Sequence, residues 1–376
     1  MLIRKDITVD EVEGLYVSLV EDVLEFEIPN GYKSLRIGLI ARLSQFFISA
    51  AKQKNSKLNF SWVSENEAER QLDLVNDPVC LTALMISDNV FGTNNSPIKS
   101  AMNTLFVDRF NNSVSEYGRQ VQMMAVDHSI LKYANPECFY SLCEEGATLR
   151  DPTYYFELLK GFLNENAKQS DFNIAEYEGL GELLAELVNN TDQHARGGYL
   201  RGEELKSVRS VVITCHQITR EQNLDDICGK NNPVAAYTAS LRPIDRAFNF
   251  IEISIFDSGP GIYKSFSGQS IPVTIEEEAE ILLRSFQDGV TSKINGVGVG
   301  RGLNKARHIL NERKGFLAIR TGRLSVYRDY DTLPLDDAGY EGFDTRFLDE
   351  MTGSLSKCSE MHGVEGVSYT ILVPLR

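Results

Sequence analysis

One segment in the second half of the chain carries a carboxylate, a carboxamide and an imidazole at helical spacing. Glu186, Asn190 and His194 follow one another at intervals of four residues within GELLAELVNNTDQH. Because residues four apart lie on one face of a helix, the three side chains form a row beside an apolar stripe. Such a row offers a general base, a neutral ligand for Mg²⁺ and a phosphate contact along one wall of a cleft. A solvated helix face is the alternative for this segment taken alone.

A second candidate is a carboxylate at the end of a predicted strand. The alternating segment IEISIFDSGPGI reaches Asp257 and then breaks at Gly259 and Gly261, in a sequence typical of a turn. A carboxylate held at a strand terminus can accept a hydrogen bond from an exocyclic amine. An ordinary β-turn is the alternative interpretation.

A third candidate is a glycine-rich turn. Gly298, Gly300 and Gly302 lie in NGVGVGRGL, directly before a helix predicted at about 301–313. Backbone amides at the start of a helix favour a phosphate. A Walker A loop is excluded because Gly-Lys-Ser/Thr is missing, and a dinucleotide-binding fold is excluded because the preceding stretch 285–294 is too polar for a buried strand.

The first part of the chain alternates strand and helix patterns. Strand patterns at 24–28 and 58–62 flank an amphipathic helix at 34–54, which predicts an N-terminal α/β module at 1–112 of unknown role. Residues 113–170 have a pattern that predicts a helical connector.

Residues 171–376 combine the three candidate segments with further strands. Strands are predicted at about 207–217, 249–257, 315–327 and 366–374, with helices at about 174–195 and 301–313. Strands adjacent in sequence, with helices between pairs, predict an α+β fold. We expect a mixed, largely antiparallel sheet that carries helices on one face.

Taken together and in this order, the three segments resemble the N, G1 and G2 boxes of the GHKL ATPase superfamily, which includes gyrase, the 90-kilodalton heat-shock chaperone and sensor histidine kinases. The resemblance rests on ELVNNTDQHA (186–195), DSGPGI (257–262) and GVGRGL (298–303), with FQDGVTSK (286–293) and the closing GVSYTILVPL (366–375) as further matches. It implies a Bergerat-type α/β sandwich for 171–376.

The resemblance also implies roles for individual residues. Asn190 would hold the Mg²⁺ that bridges the triphosphate of ATP, Asp257 would accept from the adenine amino group, and Glu186 would activate water for hydrolysis. Further nucleotide contacts are implied for His194, Gly259, Gly261, Lys293, Gly298, Gly300, Arg301, Gly302 and Thr370. Which basic residue contacts the γ-phosphate is left open.

The implied function is an ATP-binding and ATP-hydrolysing regulatory switch that acts on a partner protein through nucleotide-dependent closure of a lid. A protein kinase acting on Ser or His and a nucleotide sensor without hydrolysis stay open as alternatives. His128, the upstream histidine, lacks the acidic and then apolar context expected of a phosphoacceptor. The identity of the partner and the formation of a homodimer also stay open.

Composition limits the classes of partner and the compartment. The chain has 38 Lys and Arg against 53 Asp and Glu, for a formal net charge of −15, which does not indicate nucleic acid or an anionic membrane as partner. No apolar stretch approaches the roughly 20 residues of a membrane-spanning helix, so we expect a cytoplasmic protein without a membrane partner. Six cysteines without paired spacing predict buried free thiols.

Overall fold

A computed structural model describes residues 1–21, 25–32, 36–111, 114–127, 136–143, 146–167, 172–195, 206–219, 224–229, 233–241, 248–267, 273–287, 302–335 and 346–376. The helices are α1 Val9–Val20, α2 Leu39–Lys54, α3 Ala68–Asn76, α4 Pro78–Ile86, α5 Asn103–Asn111, α6 Pro152–Asn166, α7 Gly179–Ala195, α8 Leu224–Cys228, α9 Pro233–Leu241, α10 Ile262–Ser267, α11 Ile275–Ser285 and α12 Gly302–Glu312. The strands are β1 Glu25–Glu27, β2 Lys57–Asn59, β3 Val90–Phe91, β4 Val114–Tyr117, β5 Gln120–Asp127, β6 Tyr140–Cys143, β7 Gly146–Leu149, β8 Ser207–Ile218, β9 Phe248–Asp257, β10 Phe316–Gly322, β11 Leu324–Asp329, β12 Leu348–Asp349 and β13 Val364–Leu375.

The described strands build one large antiparallel sheet at the centre of a mixed α/β structure. Its eight strands follow the order β12-β11-β10-β13-β9-β8-β5-β4, and every neighbouring pair is antiparallel. The expectation of a largely antiparallel sheet is confirmed, whereas its expected mixed character is wrong for the described strands of this sheet. The long central strands β8, β9 and β13 are almost entirely buried, because both faces of the sheet are covered.

One face of the sheet packs against α6, α7, α11 and α12. Alternate residues of β9, Ile251, Ile253 and Ile255, point into this core together with Leu183 and Leu187 of α7. The period of two along the strand and the apolar stripe of the helix make these surfaces complementary. This face carries the candidate site.

The other face is covered as well, which corrects the expectation of helices on one face only. Residues of opposite parity, such as Val212 and Phe256, pack against α1, α2 and α4. Further along the sheet, Phe250 packs with Tyr237 of α9. The continuous apolar runs of the central strands bury side chains on both sides, a pattern that gives no sign of an exposed face.

The N-terminal residues form a small parallel sheet of their own. Its order is β1-β2-β3 and both pairs are parallel. The strand and helix patterns predicted around 24–28, 34–54 and 58–62 are confirmed as β1, α2 and β2. In α2, residues on all sides are buried, because the helix lies between this small sheet and the central sheet.

The expectation that 113–170 forms a helical connector is wrong. Strands β4 and β5 join the edge of the central sheet beside β8, and β6 and β7 form a separate hairpin. Only α6 is helical in the described part of this segment, and Asp151 caps its start by accepting from the Tyr154 N–H at 3.0 Å. The apolar run in β5 is short, and such a run fits a helix or a buried strand equally well.

Within the described residues, the helices are too short or too polar to cross a membrane. Cys80, Cys138, Cys215 and Cys228 are buried free thiols, as predicted, whereas Cys358 is partly exposed.

Candidate functional site

Helix α7 presents two residues of the predicted polar row, Asn190 and His194, toward a pocket on the first face of the sheet. Its apolar stripe, including Leu184 and Val188, is buried against the sheet, which leaves Glu186, Asn190 and His194 half-buried at the margin of the core. The helix is therefore held by its core side while its polar row borders open space.

A buried ion pair fixes α7 to the sheet beside this row. Arg209 of β8 pairs with Asp192 on α7 and with Asp127 on β5, and it donates to the Tyr140 hydroxyl at 2.7 Å. Arg209 is 1% exposed, so its charge requires these acceptors. Since Asp192 lies two residues after Asn190, the pair sets the position of the polar row.

Asp257 lies at the floor of the pocket. It is the last residue of β9 and is 2% exposed. The Gly259 N–H donates to its Oδ1 at 2.7 Å. Burial raises the pKa of Asp257 to about 7, although the N–H groups of Gly259 and Val367 and the nearby charge of Lys52 favour the ionised form.

The pocket brings together residues that are far apart in sequence. It is lined by Asn190, Thr191, His194, Asp257, Gly261, Ile262, Phe266, Ser285, Leu303, Val367 and Tyr369, and encloses about 340 Å³ including the open space at its mouth. Four of the predicted site residues, Asn190, His194, Asp257 and Gly261, thus share one cavity. An acid and a carboxamide among apolar walls can orient a planar polar ligand.

The two glycines of the turn after Asp257 are required by close contacts. A Cβ atom at Gly259 would lie 2.9 Å from both Asp257 Oδ1 and the His194 carbonyl oxygen. Gly261 has φ +85, and a Cβ there would lie 3.1 Å from Thr321 Oγ1, which accepts from the Ile262 N–H at 3.0 Å. The turn therefore packs tightly between α7 and β10.

The side chain of Glu186 lies against Gly302, the first residue of α12, and does not line the pocket. A Cβ atom at Gly302 would lie 2.2 Å from Glu186 Oε2. One turn away, Glu182 pairs with Lys305 of α12 at 2.8 Å. The carboxylate of Glu186 is thus placed at a helix N-terminus, where the partial positive charge stabilises it.

Thr370 is not brought to the pocket, contrary to its expected role. The residues of β13 that line the pocket are Val367 and Tyr369, and Thr370 points to the opposite face, where its Cγ2 lies 3.7 Å from the position of a Cβ atom at Gly38. Successive residues of a strand point to opposite faces. Both faces of β13 are buried, so the strand has no exposed face that would indicate which parity lines the pocket.

Several predicted positions lie outside the described residues, namely Lys293, Gly298, Gly300 and Arg301. His128 lies outside them too. Of the expected lid, the structure describes α10 and α11, of which Ile262, Phe266 and Ser285 line the pocket. The phosphate-binding roles expected of Lys293, Gly298, Gly300 and Arg301 stay predictions.

Fit to a metal ion can be tested on the described residues alone. They contain no cluster of three or more His, Cys, Asp and Glu side chains arranged to hold a metal ion. Asn190 is half-buried at the pocket, and its carboxamide oxygen is a ligand type that Mg²⁺ accepts. Mg²⁺ often binds through one or two protein ligands together with phosphate oxygens and water, so the site fits a metal that arrives with a phosphate.

Sequence reasoning missed residues that the fold adds from other segments. Tyr369, Phe266 and Leu303 form apolar walls. Lys52, at the end of α2, donates to the Ser258 carbonyl oxygen, next to Asp257. No local motif marks Lys52, because its contact depends on how the N-terminal residues pack on the sheet.

Comparison with models of known protein families finds no match for this chain, and comparison with curated proteins finds none either.

Proposed function

We propose that the chain binds ATP with Mg²⁺ in this pocket and acts as a nucleotide-dependent switch on a partner protein. The proposal rests on the observation that Asp257, Asn190 and His194 line the same cavity. A buried carboxyl group at the pocket floor provides an acceptor for an exocyclic amine, and the apolar walls suit a planar base. Asn190 would hold Mg²⁺ on the phosphates.

The arrangement around the pocket supports a Bergerat-type fold for 171–376 as part of this proposal. Helices α7 and α12 lie on the same face of the sheet as the end of β9, and α12 begins at Gly302, directly after the glycine-rich turn. The first turn of α12 would offer backbone amides and a positive dipole end to a phosphate. Hydrolysis, if Glu186 serves as the base, would reset the switch.

One observation favours the alternative of a nucleotide sensor without hydrolysis. The carboxylate of Glu186 lies against Gly302 and is not part of the pocket lining. A general base must lie within hydrogen-bonding reach of the attacking water, so hydrolysis requires Glu186 to reorient when nucleotide binds.

The proposal is tested by calorimetry with Mg²⁺ and a non-hydrolysable ATP analogue. The wild type should bind, and Asp257→Asn should lose about 1–3 kcal/mol of binding free energy because an amide N–H then faces the donor of the base. Asp226→Asn is the matched control, since Asp226 is exposed on α8, and it should bind as the wild type does. Absence of binding by the wild type, or equal affinity in Asp257→Asn, would overturn the assignment.

A second assay separates the three activities. After incubation with γ-labelled ATP, label in free phosphate indicates an ATPase, label on the protein indicates a kinase, and unchanged ATP indicates a sensor. The Ser or His acceptor of a kinase would be distinguished by the acid lability of phosphohistidine.

A further inference from the structure

Helix α2 lies on the second face of the central sheet, behind the pocket. Twelve of its 16 residues are buried. A helix that is buried on all sides normally consists of apolar residues, yet Gln45 and Ser49 are both fully buried here. Buried polar groups of this kind need hydrogen-bond partners, and most of theirs lie in β13.

Strand β13 has an irregularity where it passes α2. Thr321 of β10 lies opposite Val367, but the next residue, Gly322, lies opposite Val364. Glu365 and Gly366 therefore have no register partner in β10. A bulge of this kind leaves backbone groups without ladder hydrogen bonds, and these groups are buried between the sheet and α2.

Gln45 binds the backbone at this bulge. Its Nε2 donates to the carbonyl oxygens of Arg320 at 3.0 Å and of Glu365 and Gly366 at 3.4 Å. Its Oε1 accepts from the Ser368 hydroxyl at 2.8 Å. One side chain thus ties together both strands and both ends of the bulge.

Ser49 binds one amide of the bulge, that of Glu365. Its Oγ accepts from the Glu365 N–H at 2.9 Å and donates to the Gln45 carbonyl oxygen at 2.9 Å. By contrast, Ser44 on the same helix is equally buried, and its hydroxyl has no hydrogen-bond partner among the described residues. The contacts of α2 with the bulge are therefore specific to one side of the helix.

The bulge in turn holds Asp257. Gly366 has φ +74 and packs so closely on the strand β9 that a Cβ atom would lie 1.8 Å from the Asp257 carbonyl oxygen. The Val367 N–H stabilises the Asp257 carboxylate, and it belongs to the same peptide unit as the Gly366 carbonyl that accepts from Gln45. A donor on one side of a peptide unit polarises its N–H on the other side.

We propose that the N-terminal residues 1–112 regulate the pocket through α2, with Gln45 and Ser49 as positioning residues that hold the bulge and thereby Asp257. The coupling between α2 and Asp257 is argued from the contacts described above. The inference that this coupling controls ATP affinity rests on the proposed function. A partner that binds residues 1–112 and shifts α2 would change ligand affinity, and the ligand would change partner affinity by the same factor.

The coupling is tested first without ligand, by hydrogen exchange and mass spectrometry on Ser49→Ala, Gln45→Leu and the matched control Ser44→Ala. Exchange in peptides covering 363–369 and 257–262 should rise about 3- to 10-fold in the first two variants, the effect of a lost hydrogen bond, and stay at the wild-type rate in the control. A peptide from α6, which lies on the other face, serves as an internal reference in all samples. Ser49→Ala decides the question if Gln45→Leu does not fold.

The same variants are then titrated with Mg²⁺ and the non-hydrolysable ATP analogue. Affinity should fall about 3- to 10-fold in Ser49→Ala and Gln45→Leu and not in Ser44→Ala. Equal exchange in all three variants overturns the coupling, and altered exchange with unchanged affinity overturns the regulation. If the wild type does not bind the analogue while exchange changes selectively, the ATP function fails and the coupling stands.

Discussion

Glu186 and Gly302 are in direct contact where α7 meets the first residue of α12, and the contact leaves no room for a side chain at position 302. A Cβ atom there would lie 2.2 Å from Glu186 Oε2. The carboxylate therefore occupies the end of α12 at which a phosphate is also stabilised. A phosphate bound at this end would compete with Glu186 and displace its side chain from Gly302.

Glu186→Gln should separate hydrolysis from binding. Loss of the base should reduce phosphate release about 10²- to 10⁴-fold. Affinity for an ATP analogue should be retained or should increase, because a negative charge beside the phosphate site is removed. Phosphate release and calorimetry on the same variant measure the two effects.

Glu182→Gln is the control for this experiment. Glu182 lies one turn earlier on α7 and makes a half-exposed ion pair with Lys305, so its substitution should change neither quantity. Unchanged turnover in Glu186→Gln would remove Glu186 from the mechanism and favour the sensor or kinase alternative.

Ligand affinity should depend on pH through Asp257. Its pKa is raised to about 7 by burial, so the carboxyl group is largely protonated below this pH and is then a poorer acceptor for an amine. We expect affinity for the ATP analogue to increase as pH rises from 6 to 8, in calorimetric titrations at constant ionic strength. Asp257→Asn should bind weakly at every pH in this range, and a wild-type profile that is flat would contradict the role of Asp257.

Asp257 should also make the stability of the fold depend on pH, but in the opposite direction, so that stability falls as pH rises. The folded-state pKa of Asp257, about 7, lies above the value of about 3.9 expected for an unfolded chain. The folded protein therefore binds more protons than the unfolded chain between these values, and the contribution of Asp257 to stability falls as pH rises through this window and levels off above 7. Urea unfolding of wild type and Asp257→Asn across pH 4–8 should show a shallower decline in the variant.

Gly366→Ala should strongly destabilise the fold. A methyl group at this position meets the Asp257 carbonyl oxygen at 1.8 Å, in addition to the strain of φ +74. Gly353→Ala is the control, since Gly353 has φ +65 but its nearest neighbour, Tyr327 Oη, lies 3.9 Å away. Backbone strain alone costs roughly 1–2 kcal/mol, so the loss measured by urea unfolding should clearly be larger for Gly366→Ala. Equal losses would show that Gly366 is not tightly packed.

Glu13→Gln should show how firmly the N-terminal residues are attached to the sheet. Glu13 of α1 binds Arg320 of β10 at 3.0 and 3.2 Å, and Arg320 is fully buried. Burial raises the pKa of Glu13, but Arg320 and Arg42 outweigh this effect and hold the pKa below its ordinary value. Loss of the carboxylate leaves a buried guanidinium short of a partner and should cost up to about 3–5 kcal/mol in unfolding free energy.

The control for this prediction is Glu157→Gln. Glu157 and Lys160 form an exposed pair on α6 at 3.0 Å, and such pairs contribute about 0–1 kcal/mol. A similarly small loss in Glu13→Gln would indicate that the carbonyl oxygens of Gly322, Leu324 and His362, which also accept from Arg320, are sufficient for its guanidinium, or that the N-terminal residues pack loosely.

The sequence alone was sufficient for the elements that carry the candidate site. The apolar stripe of α7 and the turn residues after β9 are local patterns, and the structure confirms a helix at 179–195 and a strand that ends at Asp257. The helix predicted at about 301–313 is likewise confirmed, as α12, over its described residues Gly302–Glu312. Local periodicity and turn chemistry determine such elements because their causes lie within a few residues.

Tertiary structure decided which residues meet. The strand β5, which was expected to be helical, pairs with β8. Asp127 lies opposite Ser207, some 80 residues away in sequence, and no pattern within β5 specifies that partner. The position of Thr370 on the face behind the pocket, with Val367 and Tyr369 inside it, depends on which parity of β13 faces α7. Where both faces of a strand are buried, alternation in the sequence disappears and the packing of other elements assigns the faces. For the same reason only the packed structure connects Gln45 of α2 with the backbone beside Asp257.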